Sequence, residues 1–273
     1  VTKMKTSIAC VAMGLSCLAQ SASAEFLNYY VGLDTRSEIT YGTYLGLSNP
    51  NQDRLTFLYA HPNEESPESN HFHGIGAHSY EGPVESPTAT PTNSNNRLPE
   101  TYTGQAPLTL QTGSGEYAGK LVSGENGEHY SDLTIANIHD MAGFAEDAPE
   151  TYMYNSSAMG YQGSLDGVQL GLEVVSITPG LYLGSEGLTA GETLEVGDLT
   201  ALPFEPVFWT EADAVPGTYS AELRLVDLGG NLQSSGTFNI DFAVSAVPEP
   251  VTAWMLGLMA AAVLPWQWRR IVG

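Results

Sequence analysis

The chain has 273 residues, enough for one large domain or two small ones. Its 31 acids against 9 bases give a formal charge of −22, which repels nucleic acid and anionic lipid headgroups and excludes binding through a phosphate backbone. Cysteine occurs only at Cys10 and Cys17, so a chain that loses its first 24 residues keeps no thiol for catalysis, disulfides or a sulfur-ligated metal.

The N-terminus carries Lys3 and Lys5, an apolar run over 8–18, and the small residues Ala22, Ser23 and Ala24. This pattern predicts a secretory signal peptide over 1–24, cleaved after Ala24, with Ala22 and Ala24 as the small residues the peptidase accepts. Beyond it, helical periodicity is scarce and strand signals dominate: short runs rich in Tyr, Thr, Val, Leu and Phe, broken by Gly, Pro, Asn and Ser. Such runs cover 38–47, 54–60, 71–80, 168–177, 218–226 and 236–244, and they predict an all-β body.

Residues 83–107 differ. They are rich in Pro, Thr, Ser and Asn and poor in large apolar groups, which reads as a linker or long exposed loop. That segment would divide an N-terminal β unit (25–82) from a larger β-sandwich (108–246), or else it is an insertion in one sandwich. In 218–226, Tyr219, Ala221, Leu223 and Leu225 alternate with Ser220, Glu222, Arg224 and Val226. In 236–244, Phe238, Ile240, Phe242 and Val244 alternate likewise. The sequence DLGGN over 227–231 joins the two as a hairpin. The phrase VPGTYSAELRLVD followed by SGTFNIDFAV is similar to the last two strands of an immunoglobulin-like or fibronectin-like β-sandwich, which implies fold more than function.

The C-terminal stretch 247–270 begins Val247-Pro248-Glu249-Pro250. An apolar run follows over 251–264, then Pro265, Trp266 and Trp268, then Arg269 and Arg270. The run has 14 residues, against the about 20 that a full span prefers. Its flanking tryptophans and arginines suit a short transmembrane helix with its basic end in the cytoplasm. This tail resembles the PEP-CTERM sorting signal of Gram-negative bacteria, with Pro248, Glu249 and Pro250 matching the motif. The resemblance implies handling by signal peptidase and exosortase and a transient membrane anchor. It also implies release to the cell surface or extracellular matrix, with extracellular polysaccharide as a candidate partner. Removal of both ends takes away Lys3, Lys5, Arg269, Arg270 and Glu249, leaving 30 acids and 5 bases.

Three of the six histidines, His71, His73 and His78, fall within eight residues, and His61 lies ten positions before His71. In a strand, residues i and i+2 share a face, so His71 and His73 would project side by side, Cβ atoms about 7 Å apart. His61 ends a strand-like run. If that run pairs antiparallel with 71–80, His61 lies close to His71. His78 joins only if Gly74 and Gly76 make a bulge that changes the phase. The connecting loop adds Glu64, Glu65 and Glu68. Zinc takes neutral imidazole nitrogens, usually four ligands in a tetrahedron, and copper and nickel accept the same donors. His129 and His139, near Glu128, Asp132 and Asp140, are candidates for a second site or for completing the first.

Catalytic patterns are missing. An H-x-H pair also opens the amidohydrolase metal site, but that needs a helix-rich barrel. The H-x-H-x-D-H pattern lacks its Asp here, and neither H-E-x-x-H nor G-x-S-x-G occurs. No D-x-D-x-D-G calcium loop is present. No catalytic residue is assigned. The order of signal peptide, RLTFLYAH, HFHGIGAHSYEGP, a sandwich ending VPGTYSAELRLVD and a PEP-CTERM tail resembles a group of PEP-CTERM proteins repressed by the zinc-uptake regulator. That resemblance implies a non-enzymatic surface protein made under zinc shortage, with His61, His71, His73 and His78 as zinc ligands. The alternatives are a structural or glycan-binding matrix protein without metal, in which Tyr29, Tyr30, Tyr41, Tyr44, Trp209 and Tyr219 offer stacking faces, and a metal-dependent hydrolase.

Overall fold

The computed structural model describes residues 26–245. The signal peptide with its Ala22 and Ala24 cleavage residues lies outside the described residues. So do the Val247-Pro248-Glu249-Pro250 motif, the apolar run 251–264 and Arg269 and Arg270. Among the described residues no helix is long and apolar enough to cross a membrane.

The described chain is all-β, with a single short α-helix, Pro149–Tyr154, and a few 3-10 turns among its strands. One four-stranded sheet carries the histidine strands. β1 (Tyr29–Asp34), β2 (Arg54–His61) and β3 (His71–Gly74) run antiparallel in that order, and Ile135–Asn137 pairs parallel with the other edge of β1. All six residues of β1 are buried, and so are the middle six of β2. The alternation of a strand explains this, because the sheet has a core on each face. Tyr29, Val31, Leu33, Leu55, Phe57 and Tyr59 belong to one hydrophobic cluster. Tyr30, Leu58, Ala60 and Phe72 belong to another, closed by Ala136, Ile138, Met141 and Met153.

The largest sheet orders its strands Thr193–Asp198, Gln169–Ile177, Gly217–Asp227, Phe238–Val244 and Arg97–Leu98, with Leu108–Thr109 also pairing with Phe238–Val244. Gly217–Asp227 and Phe238–Val244 form the long hairpin, with Tyr219 opposite Phe242 and Leu223 opposite Phe238. Their inward residues, Ala221, Leu223, Phe238, Ile240 and Phe242, are nearly inaccessible. They join the same cluster as Tyr29 and Phe57, and the Phe57 and Phe238 rings stack 4.3 Å apart. A third sheet combines Tyr182–Leu183, Phe208–Glu211, Lys120–Val122 and Gln111–Thr112.

Three expectations need correction. The run 38–47 does not form a strand. It closes as a turn, with Ile39 N–H donating to the Leu47 carbonyl at 2.8 Å and only an isolated bridge between Glu38 and Ser48. The run 71–80 does not continue as one strand. It stops at Gly74, turns, and resumes as Ser79–Glu81, which pairs with Thr88–Thr90 instead. The reason is close packing at Gly76. A Cβ there would lie 2.9 Å from the Phe57 Cβ and 3.2 Å from its backbone nitrogen. The Gly76 carbonyl accepts from Gly236 N–H at 3.0 Å.

The segment 83–107 is not an exposed linker throughout. Asn96, Leu98 and Glu100 are buried. The Asn96 side chain donates to the carbonyls of Ala77 and Thr237 at 2.8 and 2.9 Å, and Arg97–Leu98 pairs with the edge of Phe238–Val244. Polar side chains that satisfy buried carbonyls do here what large apolar residues do elsewhere. This anchoring brings Glu100 beneath the histidine strands.

Candidate metal centre

The register of β2 and β3 assembles the centre. His61 stands opposite His71, and Tyr59 opposite His73. Residues 71 and 73 share a face, and His61 projects from the neighbouring strand onto the same face. The connection between the strands is fixed: Asn70 Oδ1 accepts from Asn63 N–H at 2.7 Å, and its Nδ2 donates to the Pro149 carbonyl at 3.0 Å. The imidazole centroids lie 5.3 Å (His61–His71), 4.0 Å (His61–His73) and 5.0 Å (His71–His73) apart. One ring nitrogen from each of the three lies within 4.8 Å of the other two, a group that could hold a metal ion.

A carboxylate backs this group. Glu100 is 2 % exposed. Its Oε1 lies 2.5 Å from His73 Nδ1. Its Oε2 lies 3.0 Å from His61 Nε2, 3.0 Å from the Tyr102 hydroxyl and 3.1 Å from the Tyr130 hydroxyl. Four donors thus converge on Glu100, three of them on Oε2. Burial alone would raise this carboxyl. The hydrogen bonds from His61 and His73 outweigh burial and hold Glu100 well below the usual carboxylate range. In turn, burial and the Glu100 charge push the Tyr130 hydroxyl up to about 12. Local desolvation of the hydroxyl, the hydrogen bond to Glu100 and the Glu100 charge raise the Tyr102 pKa and keep it a donor, although most of its ring is exposed.

An ionised carboxylate only accepts, and this sets the tautomers. His61 donates through Nε2 and His73 through Nδ1. His71 donates Nδ1 to the Ser69 carbonyl at 2.9 Å. In neutral rings the remaining nitrogens, His61 Nδ1, His71 Nε2 and His73 Nε2, then carry lone pairs. His71 Nε2 and His73 Nε2 face each other at 3.1 Å. Two lone pairs at that distance repel unless a cation or a proton sits between them. Nitrogens at about 2.0–2.1 Å from a tetrahedral metal lie about 3.3 Å from each other, so the observed separation suits two ligands of one ion. Ligating histidines typically donate their other ring N–H to a carboxylate or a backbone carbonyl, and all three rings do so here.

The other sequence candidates fall elsewhere. His78 is not in the group. Its backbone N–H donates to Asn51 Oδ1 at 2.6 Å and its carbonyl accepts from Asn51 Nδ2 at 2.9 Å, because the turn at Gly74–Gly76 carries the chain away instead of making a bulge that keeps it on the strand. Burial and the Arg54 charge lower the His78 pKa. His129 Nε2 takes the Tyr59 hydroxyl at 2.8 Å. Tyr59 stays protonated because burial, Tyr130 and the Glu100 charge push it up. His139 uses both nitrogens, toward the Tyr154 hydroxyl and the Gly163 carbonyl, each at 3.0 Å, and so serves as a structural link. Glu64, Glu65 and Glu68 are exposed and are not in the group. The carboxylate that meets the imidazoles is Glu100, which sequence reasoning missed. Comparisons with family models, curated proteins and solved structures found no match.

Proposed function

We propose that this chain is an exported surface protein that binds a divalent metal, zinc by its donor set, through His61, His71 and His73, and serves zinc capture or handling under zinc limitation. The observation that carries the reading is the pair of acceptor nitrogens, His71 Nε2 and His73 Nε2, at 3.1 Å, in rings whose other nitrogens are held by Glu100 and Ser69. Three neutral imidazoles and no thiolate favour zinc, copper or nickel over calcium or magnesium. The fourth position is left to solvent. Export rests on the sequence of the two termini, and an immunoglobulin-like sandwich is supported by the long hairpin Gly217–Asp227 with Phe238–Val244.

A zinc titration of the purified chain against a chromophoric chelator tests this reading. One zinc per chain is the predicted stoichiometry. His73→Ala should lose about 100-fold or more in affinity, and His78→Ala and His139→Ala should leave it unchanged. Absence of zinc uptake, or an equal loss in His78→Ala, contradicts the assignment.

A hydrolytic reading is favoured by one feature, since three protein ligands leave a tetrahedral metal one position for activated water. It also requires a general base. Glu100 is the carboxylate closest at hand, and it already accepts from His61, His73, Tyr102 and Tyr130. Metal binding without turnover is therefore the reading we hold.

A further inference from the structure

Beside the metal centre opens a cleft of about 500 Å³, inside the size range of small-ligand sites. His73, Glu100 and Tyr102 contribute to its lining, and so do Tyr41, Tyr44 and Tyr80. Tyr44, Tyr80 and Tyr102 are held in place before any ligand arrives. The Tyr44 hydroxyl donates to the Gly82 carbonyl at 2.8 Å and the Tyr80 hydroxyl to the Ser48 carbonyl at 3.1 Å, which sets their rings 5.5 Å apart. Tyr102 is 61 % exposed, yet its hydroxyl is tethered to Glu100. Tyr41 is 76 % exposed and sits on the turn closed by Ile39 and Leu47. Gly46 N–H donates to the Ile39 carbonyl at 2.9 Å in that turn, and Gly46 adopts a φ of 83° that side chains disfavour. The turn that presents Tyr41 is thus built by its own hydrogen bonds.

The charge of the molecule narrows what such a cleft can take. Each of the five cations among the described residues has a partner. Arg36 pairs with Asp34, Arg97 with Asp241 and Arg224 with Glu173. Arg54 donates to the Pro50 and Ser234 carbonyls, and Lys120 lies over the Trp209 ring. Of these five, Arg36 is the one that lines the cleft, and its charge is already paired with Asp34, while the acidic surface repels phosphates and carboxylates.

We propose that this cleft binds a neutral oligosaccharide. A pyranose presents a C–H face that packs against the negative face of an aromatic ring, and hydroxyls that suit tyrosine, threonine and asparagine. Thr40 and Asn95, both exposed and both lining the cleft, supply such polar groups. Preset rings reduce the ordering cost of binding. The proposal stands on the cleft and not on the metal reading.

Calorimetry of the full chain with cellohexaose, mannohexaose and laminarihexaose tests it, with and without a chelator. At least one hexaose should bind below about 5 mM. Tyr41→Ala should weaken it about tenfold and Tyr41→Phe should not. Tyr152→Ala, on the helix Pro149–Tyr154, should leave binding unchanged, and so should the chelator. Binding that vanishes with chelator belongs to the metal and overturns the proposal. So does the absence of binding by every hexaose, an unchanged affinity in Tyr41→Ala, or preferential capture of a hexauronate or a proline-rich peptide. Loss of zinc binding in His61→Ala, outside the cleft lining, with saccharide binding intact leaves this proposal standing, whatever becomes of the metal.

Discussion

At the scale of single residues, the centre depends on Glu100 as much as on the three imidazoles. Without its negative charge, neither His61 nor His73 is oriented with its second nitrogen free for an ion. Glu100→Gln offers one carbonyl oxygen and two N–H donors where four donors now converge. It should lower zinc affinity about 10–100-fold with the three histidines intact, read by the same chelator competition. An unchanged affinity would mean that Glu100 does not position the ligands. The histidine pair His71 and His73 is legible in the sequence because strand spacing puts i and i+2 on one face. His61 is legible through the antiparallel pairing its flanking run suggests. Glu100 is not. It lies in a Pro/Thr/Ser/Asn-rich stretch, and only the non-local pairing of Arg97–Leu98 with Phe238–Val244 brings it to the site. His78 is misread for the opposite reason: its closeness in sequence to His73 says nothing once Gly76 must pack flat against Phe57.

At the scale of elements, alternation is a dependable guide and composition is not. The clean period of two in 218–226 and 236–244 appears in the structure as a hairpin with Tyr219, Ala221, Leu223, Leu225, Phe238, Ile240, Phe242 and Val244 turned to the core. The run 38–47 is rich in tyrosine and threonine but has no such period, and it forms a turn. The hairpin's own turn carries a pH-dependent stabilisation. The Asp227 carboxylate accepts N–H donors from Gln169, Gly229, Asn231 and Leu232 at 2.8–3.1 Å. Burial opposes the charged form, and these four bonds overcome it and lower the Asp227 pKa. A group whose folded pKa is depressed contributes stability that is fully present above its unfolded value, about 3.9 for Asp, and is lost as pH falls through the folded value. Urea unfolding should therefore show Asp227→Asn less stable than the parent near neutral pH, with the difference shrinking on acidification below about pH 4. A difference that stays constant with pH would remove the role given to those four donors.

At the scale of the whole molecule, charge and topology work together. Acids outnumber bases heavily and every cation among the described residues is engaged, so the surface attracts cations and discourages anionic partners. A single hydrophobic cluster draws on residues from Tyr29 to Val244, so the histidine sheet rests on the same core as the long hairpin and the site sits on rigid elements. Composition and strand signals reveal the all-β class. The order of strands in the sheets is hidden from sequence, because it depends on parallel pairings such as Tyr29 with Ile135 and Ile240 with Leu98 that join segments far apart in the chain. The central claim is that His61, His71 and His73 together hold one metal ion. X-ray absorption at the zinc edge, on the full chain loaded with one equivalent of zinc, tests it most directly. The account predicts a first shell of three imidazole nitrogens at about 2.0–2.1 Å with one further light donor. A zinc that shows one imidazole or none would contradict it.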